Sequence, residues 1–358
     1  MIQDKVLKDG TKRFRAKVYN GGAKGNIYSS WFKQKKKAQL EEIELKHQLQ
    51  NGLYIKESTK ILNEAFQIYL DLIAPDRMGN EALKQQQAYY DNHIKPNLGS
   101  RHLASIKSYE IQSLWKQKQV EGMANSTIIK YHTLLNRVYK AFIDWGEIKE
   151  NPLDGVRKPP ANYKTAVTWN KEQASKFLKA AKGHSSFMTF WVLLNTGLRI
   201  AEAQGLTWDK LDTVSHSLIV DQQYKEREKR IVPWTKTNQS KREISLSQSQ
   251  IDFLLAHKEK QLITTEYICA TETGNPHLKG NLRKYTNRFA QQCNVPIVTL
   301  HGMRHTHGSI LADMGEPVKY IQERLGHKDV KTTLNFYIHT QKSHHQQTAT
   351  RFDNFFNS

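Results

Sequence analysis

The sequence predicts a multidomain α+β protein. It divides into a small N-terminal three-stranded sheet with one helix, a helical middle section, and a mostly α C-terminal section with a small antiparallel sheet. Three observations predict this. RFRAKVY (13–19) alternates Phe14, Ala16 and Val18 with Arg13, Arg15 and Lys17, the period of a half-buried strand. From Ser58 onward, apolar residues recur three and four apart, the period of helices. NPLDGVRKPPANYK (151–164) then interrupts with Pro, Gly and Lys and reads as an exposed linker. The sections fall at 1–56, 57–155 and 165–358.

The elements follow in order. Residues 1–32 read as short strands, with NGGAKGN (20–26) as turn chemistry and IYSSWF (27–32) as a further strand. KQKKK (33–37) opens a helix that runs through AQLEEIELKHQLQ and stops at Asn51-Gly52. STKILNEAFQIYLDLI begins with a Ser/Thr cap, and further helices are expected near 80–94, 108–121 and 125–145. In the third section, TWNKEQASKFLKAA reads as a helix capped by Thr168 or Asn170. SFMTFWVLLNTG reads as an apolar helix ended by Gly197. SLIVDQQYKE and REISL read as strands, and WTKTNQSKREISL (234–246) as a β-hairpin. Helices resume at 276–293 and 302–314, and Gly315-Glu316-Pro317 separates the latter from the next.

Composition narrows the function. No run of about 18 apolar residues occurs, so no transmembrane helix is expected. MIQDKVLKDGTKRFR lacks the apolar stretch of a secretory signal. The two cysteines, Cys269 and Cys293, have no C-x-x-C spacing; a reducing cytosol fits. The formal net charge of +20 points to a polyanionic partner. It is uneven: +8 over residues 1–56, +3 over 57–164 and +9 over 165–358. Clustering at both ends favours nucleic acid over a merely soluble surface. The N-terminal sheet, with Arg13, Arg15 and Lys17 on one face and Lys35, Lys36 and Lys37 behind it, has two readings. It suits a β-element lying in a DNA groove, and equally a structural sheet with solvated charges.

Four stretches carry chemistry. TGLRIAEAQGLTW (196–208) holds Arg199 at a helix boundary and Glu202 one turn on, a pair that can also be a surface ion pair of little worth. WTKTNQSKREISL carries Lys236 at a hairpin tip, with Lys241 and Arg242 opposite as DNA-contact candidates. HGMRHTHGSILADMG (301–315) puts His301 and Arg304 three apart on one helix face. LGHKDVKTTLNFYIHT (325–340) holds His327 and Tyr337. A phosphodiester under displacement builds negative charge, which two arginines clamp bidentately and histidines stabilise by hydrogen bonds. A tyrosine oxygen can attack phosphorus, and a lysine can protonate the leaving oxygen. No metal or cofactor is then needed. His301 and His305 are four apart and invite a zinc reading. The glutamate of H-E-x-x-H is missing, however, and Arg304 between them would repel a cation. Tyr337 can also be core filler, but Phe336 beside it can serve packing, and Thr332 and Thr333 are expected to cap the helix that carries Tyr337.

TGLRIAE, HGMRHTHGSILADMG and LGHKDVKTTLNFYIH, in that order over about 150 residues, resemble the tyrosine recombinase family in its phage and conjugative-transposon integrase branch. The resemblance implies that Arg199 and Arg304 are the two catalytic arginines and that His301 and His327 are the paired histidines. It implies that Tyr337 is the nucleophile forming a 3′-phosphotyrosine link and that Glu202 orients Arg199. It makes Lys236 the general acid, with Lys241 as competitor. The N-terminal part resembles an arm-site DNA-binding domain and 57–155 a helical core-site-binding domain. The implied protein is a site-specific integrase acting as a homotetramer on double-stranded DNA, without a membrane, in the cytoplasm of a bacterial host at the nucleoid. An accessory DNA-bending or excision factor is an expected partner. A type IB topoisomerase and a non-catalytic DNA-binding regulator are the alternatives.

Overall fold

A computed structural model of the chain describes residues 1–20, 25–51, 54, 58–161, 167–233, 241–334, 336 and 352–354. The chain forms two compact units, Met1–Tyr163 and Lys164–Ser358.

In the first unit, β1 (Ile2–Val6), β2 (Lys12–Tyr19) and β3 (Asn26–Tyr28) form an antiparallel sheet in that order. The alternation of β2 buries Ala16 and Val18, which pack with Ile27 against Leu45 of α1 (Lys35–Gln50). The other face is cationic and aromatic. The Arg15 guanidinium lies 4.2 Å from the Tyr28 ring centroid and 4.6 Å from that of Trp31, and Lys5 lies 4.4 Å from Trp31. A separate hydrophobic cluster is built by α2 (Leu62–Leu72), α3 (Ala74–Arg77), α4 (Asn80–Tyr89), α5 (Lys95–Leu98), α6 (Ser108–Val120) and α7 (Asn125–Asp144). At its centre Phe66 stacks on Tyr90 with centroids 3.7 Å apart. The expected Ser/Thr cap on α2 is not formed. Residues 58–61 are extended, with an Ile61–His102 bridge, and Glu64 accepts the Ile61 amide instead.

The second unit begins with α8 (Lys171–Ala181), capped by Asn170, whose side chain accepts the Gln173 amide. The apolar helix α9 (Phe187–Thr196) is the centre of the core. Around it lie α10 (Ile200–Gln204), α11 (Gln248–Lys260), α12 (Lys279–Gln292), α13 (Leu300–Asp313), α14 (Val318–Leu325) and α15 (Val330–Leu334). Phe190 of α9 meets Phe177 of α8 edge-on at 5.2 Å, and both meet Phe289 of α12.

The strands differ from expectation. SLIVDQQYKE breaks into β5 (Ser217–Val220) and β6 (Gln222–Lys225). With β4 (Leu211–Asp212) and β8 (Arg242–Ser245), β5 forms one sheet in the order β4-β5-β8; β6 pairs with β7 (Arg230–Pro233) in another. The segment with Lys236 thus joins strands of two sheets instead of closing a hairpin between β7 and β8. Residues 234–240, Lys236 among them, lie outside the described residues.

Two helix ends position the site. α9 and α14 end in left-handed glycines, Gly197 at φ 68° and Gly326 at φ 65°. A Cβ on Gly197 would lie 2.6 Å from both the His307 ring and a Leu325 methyl. Gly197→Ala is therefore expected to destabilise the second unit by ~2–4 kcal/mol, combining left-handed strain with overpacking. Urea unfolding checks this; a midpoint equal to that of the parent chain would count against it.

Candidate active site

The site grows from one buried carboxylate. Arg199 is the N-cap residue of α10, and Glu202 stands three residues on. Glu202 Oε2 accepts the Arg199 amide at 2.8 Å, and Oε1 accepts Nη1 of Arg199 at 2.8 Å. Arg242 of β8 reaches the same carboxylate, Nη2 donating to Oε2 at 2.7 Å and Nη1 to Oε1 at 3.2 Å. Its Nε donates to the Arg324 carbonyl at 2.8 Å. The Glu202 side chain is fully buried. Burial alone would raise its pKa. The Arg242 hydrogen bond and the charges of Arg242 and Arg199 outweigh burial and hold the carboxyl below its ordinary value.

Arg304, on α13, is buried without a carboxylate of its own. Its Nη1 donates to the Gly197 carbonyl at 2.8 Å and its Nη2 to the Leu325 carbonyl. Arg199 Nη2 donates to the next carbonyl, Gly326, at 2.8 Å. The acceptors belong to the C-terminal ends of α9 and α14, where unpaired carbonyls and the helix dipole both favour cations. Burial, then the charge of Arg199, pushes the Arg304 pKa down to about 9, so it stays cationic at neutral pH. One carboxylate thus faces three guanidiniums, and the pocket keeps a surplus of two positive charges.

Histidines line this pocket. The His301 and His305 rings meet edge-on at 4.5 Å on α13. His327 follows Gly326, and its Nδ1 lies 2.9 Å from the Thr333 hydroxyl. Burial, then Arg304 and Arg199, push the His327 pKa down to about 3. His305 and His327 both pack against the Phe336 ring, which fills the space left by Gly308. His307 faces the interior. Its Nδ1 is 2.8 Å from the Leu194 carbonyl, which can only accept, so Nδ1 carries the proton. Its Nε2 accepts from Arg324 Nε at 3.1 Å.

The model of the phage integrase family matches residues 168–344. The chain belongs to the phage integrase family of tyrosine recombinases. Its activity is site-specific DNA recombination. Among similar proteins, the tyrosine recombinase XerC-like protein of Caldanaerobacter subterraneus subsp. tengcongensis is 26% identical over 366 residues, 93% of this chain and 94% of that protein. The ICEBs1 integrase of Bacillus subtilis is 26% identical over 330 residues, 87% and 89% of the two chains. Two solved structures show the same fold. The Tn1549 transposon integrase in complex with a circular intermediate DNA gives a TM-score of 0.70 at 21% identity, over 82% of this chain and 100% of that one. A λ integrase tetramer bound to a Holliday junction gives 0.62 at 18% identity, over 93% and 94%.

In this recombinase the structure brings Arg199, Glu202, His301, Arg304 and His327 together. Tyr337 and Lys236 lie outside the described residues, although Phe336, the neighbour of Tyr337, is anchored beside two of the histidines. Three expectations are corrected. The Arg199–Glu202 pair is not a surface pair, because Glu202 is buried. Arg242 does not project outward as a DNA contact. Strand alternation puts it on the face of buried Ile244, and its side chain is 7% exposed against Glu202. Thr332 and Thr333 do not cap a helix. They lie within α15, where the Asp329 side chain accepts the Lys331 amide and the Thr333 hydroxyl meets His327. Lys35, Lys36, Lys37 and Lys241 are exposed, and Arg13, Arg15 and Lys17 lie half-buried on the outer sheet face. Among the described residues no three metal-ligating side chains converge, and no helix is long and apolar enough to cross a membrane.

Two outcomes follow from this charge distribution. Glu202→Ala strands three guanidiniums around a void and should cost ~3–5 kcal/mol, the usual penalty for unpairing a buried charge, with Glu202→Gln milder. Denaturant titration measures it, and an alanine variant as stable as the parent would contradict the balance described. Burial, with the charge of Arg324, pushes the His307 pKa from 6.5 down to about 4. The unfolded chain therefore binds that proton at higher pH than the folded one. Its contribution is full above pH 6.5 and is lost as pH falls toward 4, on the order of 2 kcal/mol. Unfolding midpoints at pH 7.5, 6 and 5 should fall in that order.

Proposed function

We infer that this recombinase cuts and rejoins DNA through a covalent 3′-phosphotyrosine link to Tyr337, integrating and excising a mobile element. The observation that carries the reading is the paired anchoring of Arg199 and Arg304. Each guanidinium has five N–H groups and gives two to its scaffold. The others are available to non-bridging phosphate oxygens, in a pocket with surplus positive charge and little freedom to reorganise. His301 and His327 add neutral N–H donors. The Tyr337 oxygen attacks phosphorus, the bond to the 5′ oxygen breaks, and Lys236 supplies the proton that the 5′ hydroxyl takes. Attack by a 5′ hydroxyl on the phosphotyrosine reverses the step, so the ester retains the energy for resealing and no metal or nucleotide cofactor takes part.

The wider assembly belongs to the same proposal. Residues 1–56 would read arm sites, with the cation–aromatic face of the N-terminal sheet as the contact, and residues 57–155 would grip the core site. The catalytic domain would span 165–358. Arm and core contacts on one chain give bivalent avidity, and four copies would exchange strands between two duplexes, as the λ integrase tetramer on a Holliday junction suggests. An accessory DNA-bending or excision factor would set direction.

On a nicked suicide substrate the parent chain is expected to form a denaturation-resistant DNA adduct whose modified peptide contains Tyr337 by mass spectrometry. Tyr337→Phe should form none while binding the same DNA. An adduct surviving in the phenylalanine variant would overturn the nucleophile assignment.

A further inference from the structure

The hydroxyl of Thr333 stands out among the buried threonines. Those of Thr196, Thr286 and Thr306 donate to the carbonyl four residues back along their own helices, at 2.6 to 2.9 Å. Thr333 is likewise helical and fully buried, yet its hydroxyl makes one hydrogen bond among the described residues, to Nδ1 of His327. A buried hydroxyl proton without an acceptor is costly, and Nδ1 is the acceptor within reach. The other ring nitrogen of His327, Nε2, has no hydrogen-bond partner among the described residues, although Arg304 and Arg199 stand near enough to suppress protonation of the ring.

The geometry points to Thr333 as a positioning residue that donates its hydroxyl proton to Nδ1 of His327, so that Nε2 carries the ring proton and presents it to the scissile phosphate. This rests on the assignment of His327 to the phosphate made above. The partner of one imidazole nitrogen sets the state of the other. Were Nδ1 to hold the proton, Nε2 would turn a lone pair toward an anionic oxygen. His307 shows the opposite arrangement, with its proton on Nδ1 against the Leu194 carbonyl and Nε2 accepting from Arg324. The domain therefore holds two neutral histidines in opposite tautomers, each set by a neighbour. The ring of His327 is also held from the side by Phe336, the residue before Tyr337. Thr333 thus fixes the proton of a histidine whose packing partner is adjacent in sequence to the proposed nucleophile.

The test uses the full chain with ¹⁵N-labelled histidine at pH 7.5, His327 being assigned by its loss in His327→Asn. Long-range ¹H–¹⁵N spectra should show His327 protonated at Nε2, with Nδ1 shifted by an accepted hydrogen bond. That Nδ1 shift should disappear in the isosteric Thr333→Val and persist in Thr333→Ser. In parallel, single-turnover cleavage of the suicide substrate should fall ~10- to 100-fold in Thr333→Val, the range for losing a group that orients a functional histidine. DNA affinity should not change, and Thr333→Ser should recover most of the rate. A parent chain protonated at Nδ1 overturns the proposal. So does Thr333→Val cleaving at the parent rate, or Thr333→Ser losing as much as valine, which would mark a packing role. If His327→Asn itself cleaves at the parent rate, the assignment of His327 to the phosphate fails, while the spectrum still decides which atom Thr333 serves.

Discussion

A guanidinium enclosed by protein is the constraint around which the second unit is arranged. Arg304 is 1% exposed and has no carboxylate of its own, a placement that costs heavily unless its N–H groups are met. They are met by backbone. The Gly197 and Leu325 carbonyls come from the ends of two helices that are distant in sequence, so one side chain ties α9, α13 and α14 into a fixed arrangement. Carbonyls at helix ends are exposed only if the chain turns sharply away, and both helices do so through a left-handed glycine. The glycines are needed for shape as well as for φ, since the space beside Gly197 is occupied by His307 and Leu325 and that beside Gly326 by Arg242.

The same arrangement sets the chemistry of the histidines. Neutral imidazoles border a pocket that retains uncompensated positive charge, so protonation is opposed both by burial and by Arg304. They enter the reaction as hydrogen-bond donors of fixed direction, not as additional cations. That limits repulsion within the empty pocket and leaves the two anchored arginines to carry the charge that a phosphodiester meets. Preorganisation of this kind lowers the reorganisation needed as charge develops at phosphorus.

Much of this was legible in the sequence where the signal is local. Period-two alternation located β2, Gly197 marked the end of α9, and the three motifs placed Arg199, Arg304 and His327 in one site. What was not legible depends on tertiary pairing. SLIVDQQYKE reads as one strand because nothing local reveals that its two halves join different sheets. Arg242 reads as a basic tip residue beside Lys241, although its position two before Ile244 on the same strand face was a usable signal. Thr333 reads as a cap because Ser and Thr favour helix starts; its role appears only once α15 is folded back onto His327. The carbonyls that seat Arg304 have no side-chain signature, so only the glycines that expose them leave a trace.

Arg242 also links the segment that precedes it to the rest of the site. β8 is paired with β5 residue by residue, Arg242 opposite Val220 and Ile244 opposite Leu218. A shift of one position would swing Arg242 to solvent and bring Lys241 or Glu243 in against Glu202. Length variation among relatives is thus confined to the stretch before Lys241, where residues can be gained or lost without disturbing the strand that follows. From Arg242 onward the spacing is locked, and the reach of any residue on that stretch is measured from a point fixed to the arginine pocket itself.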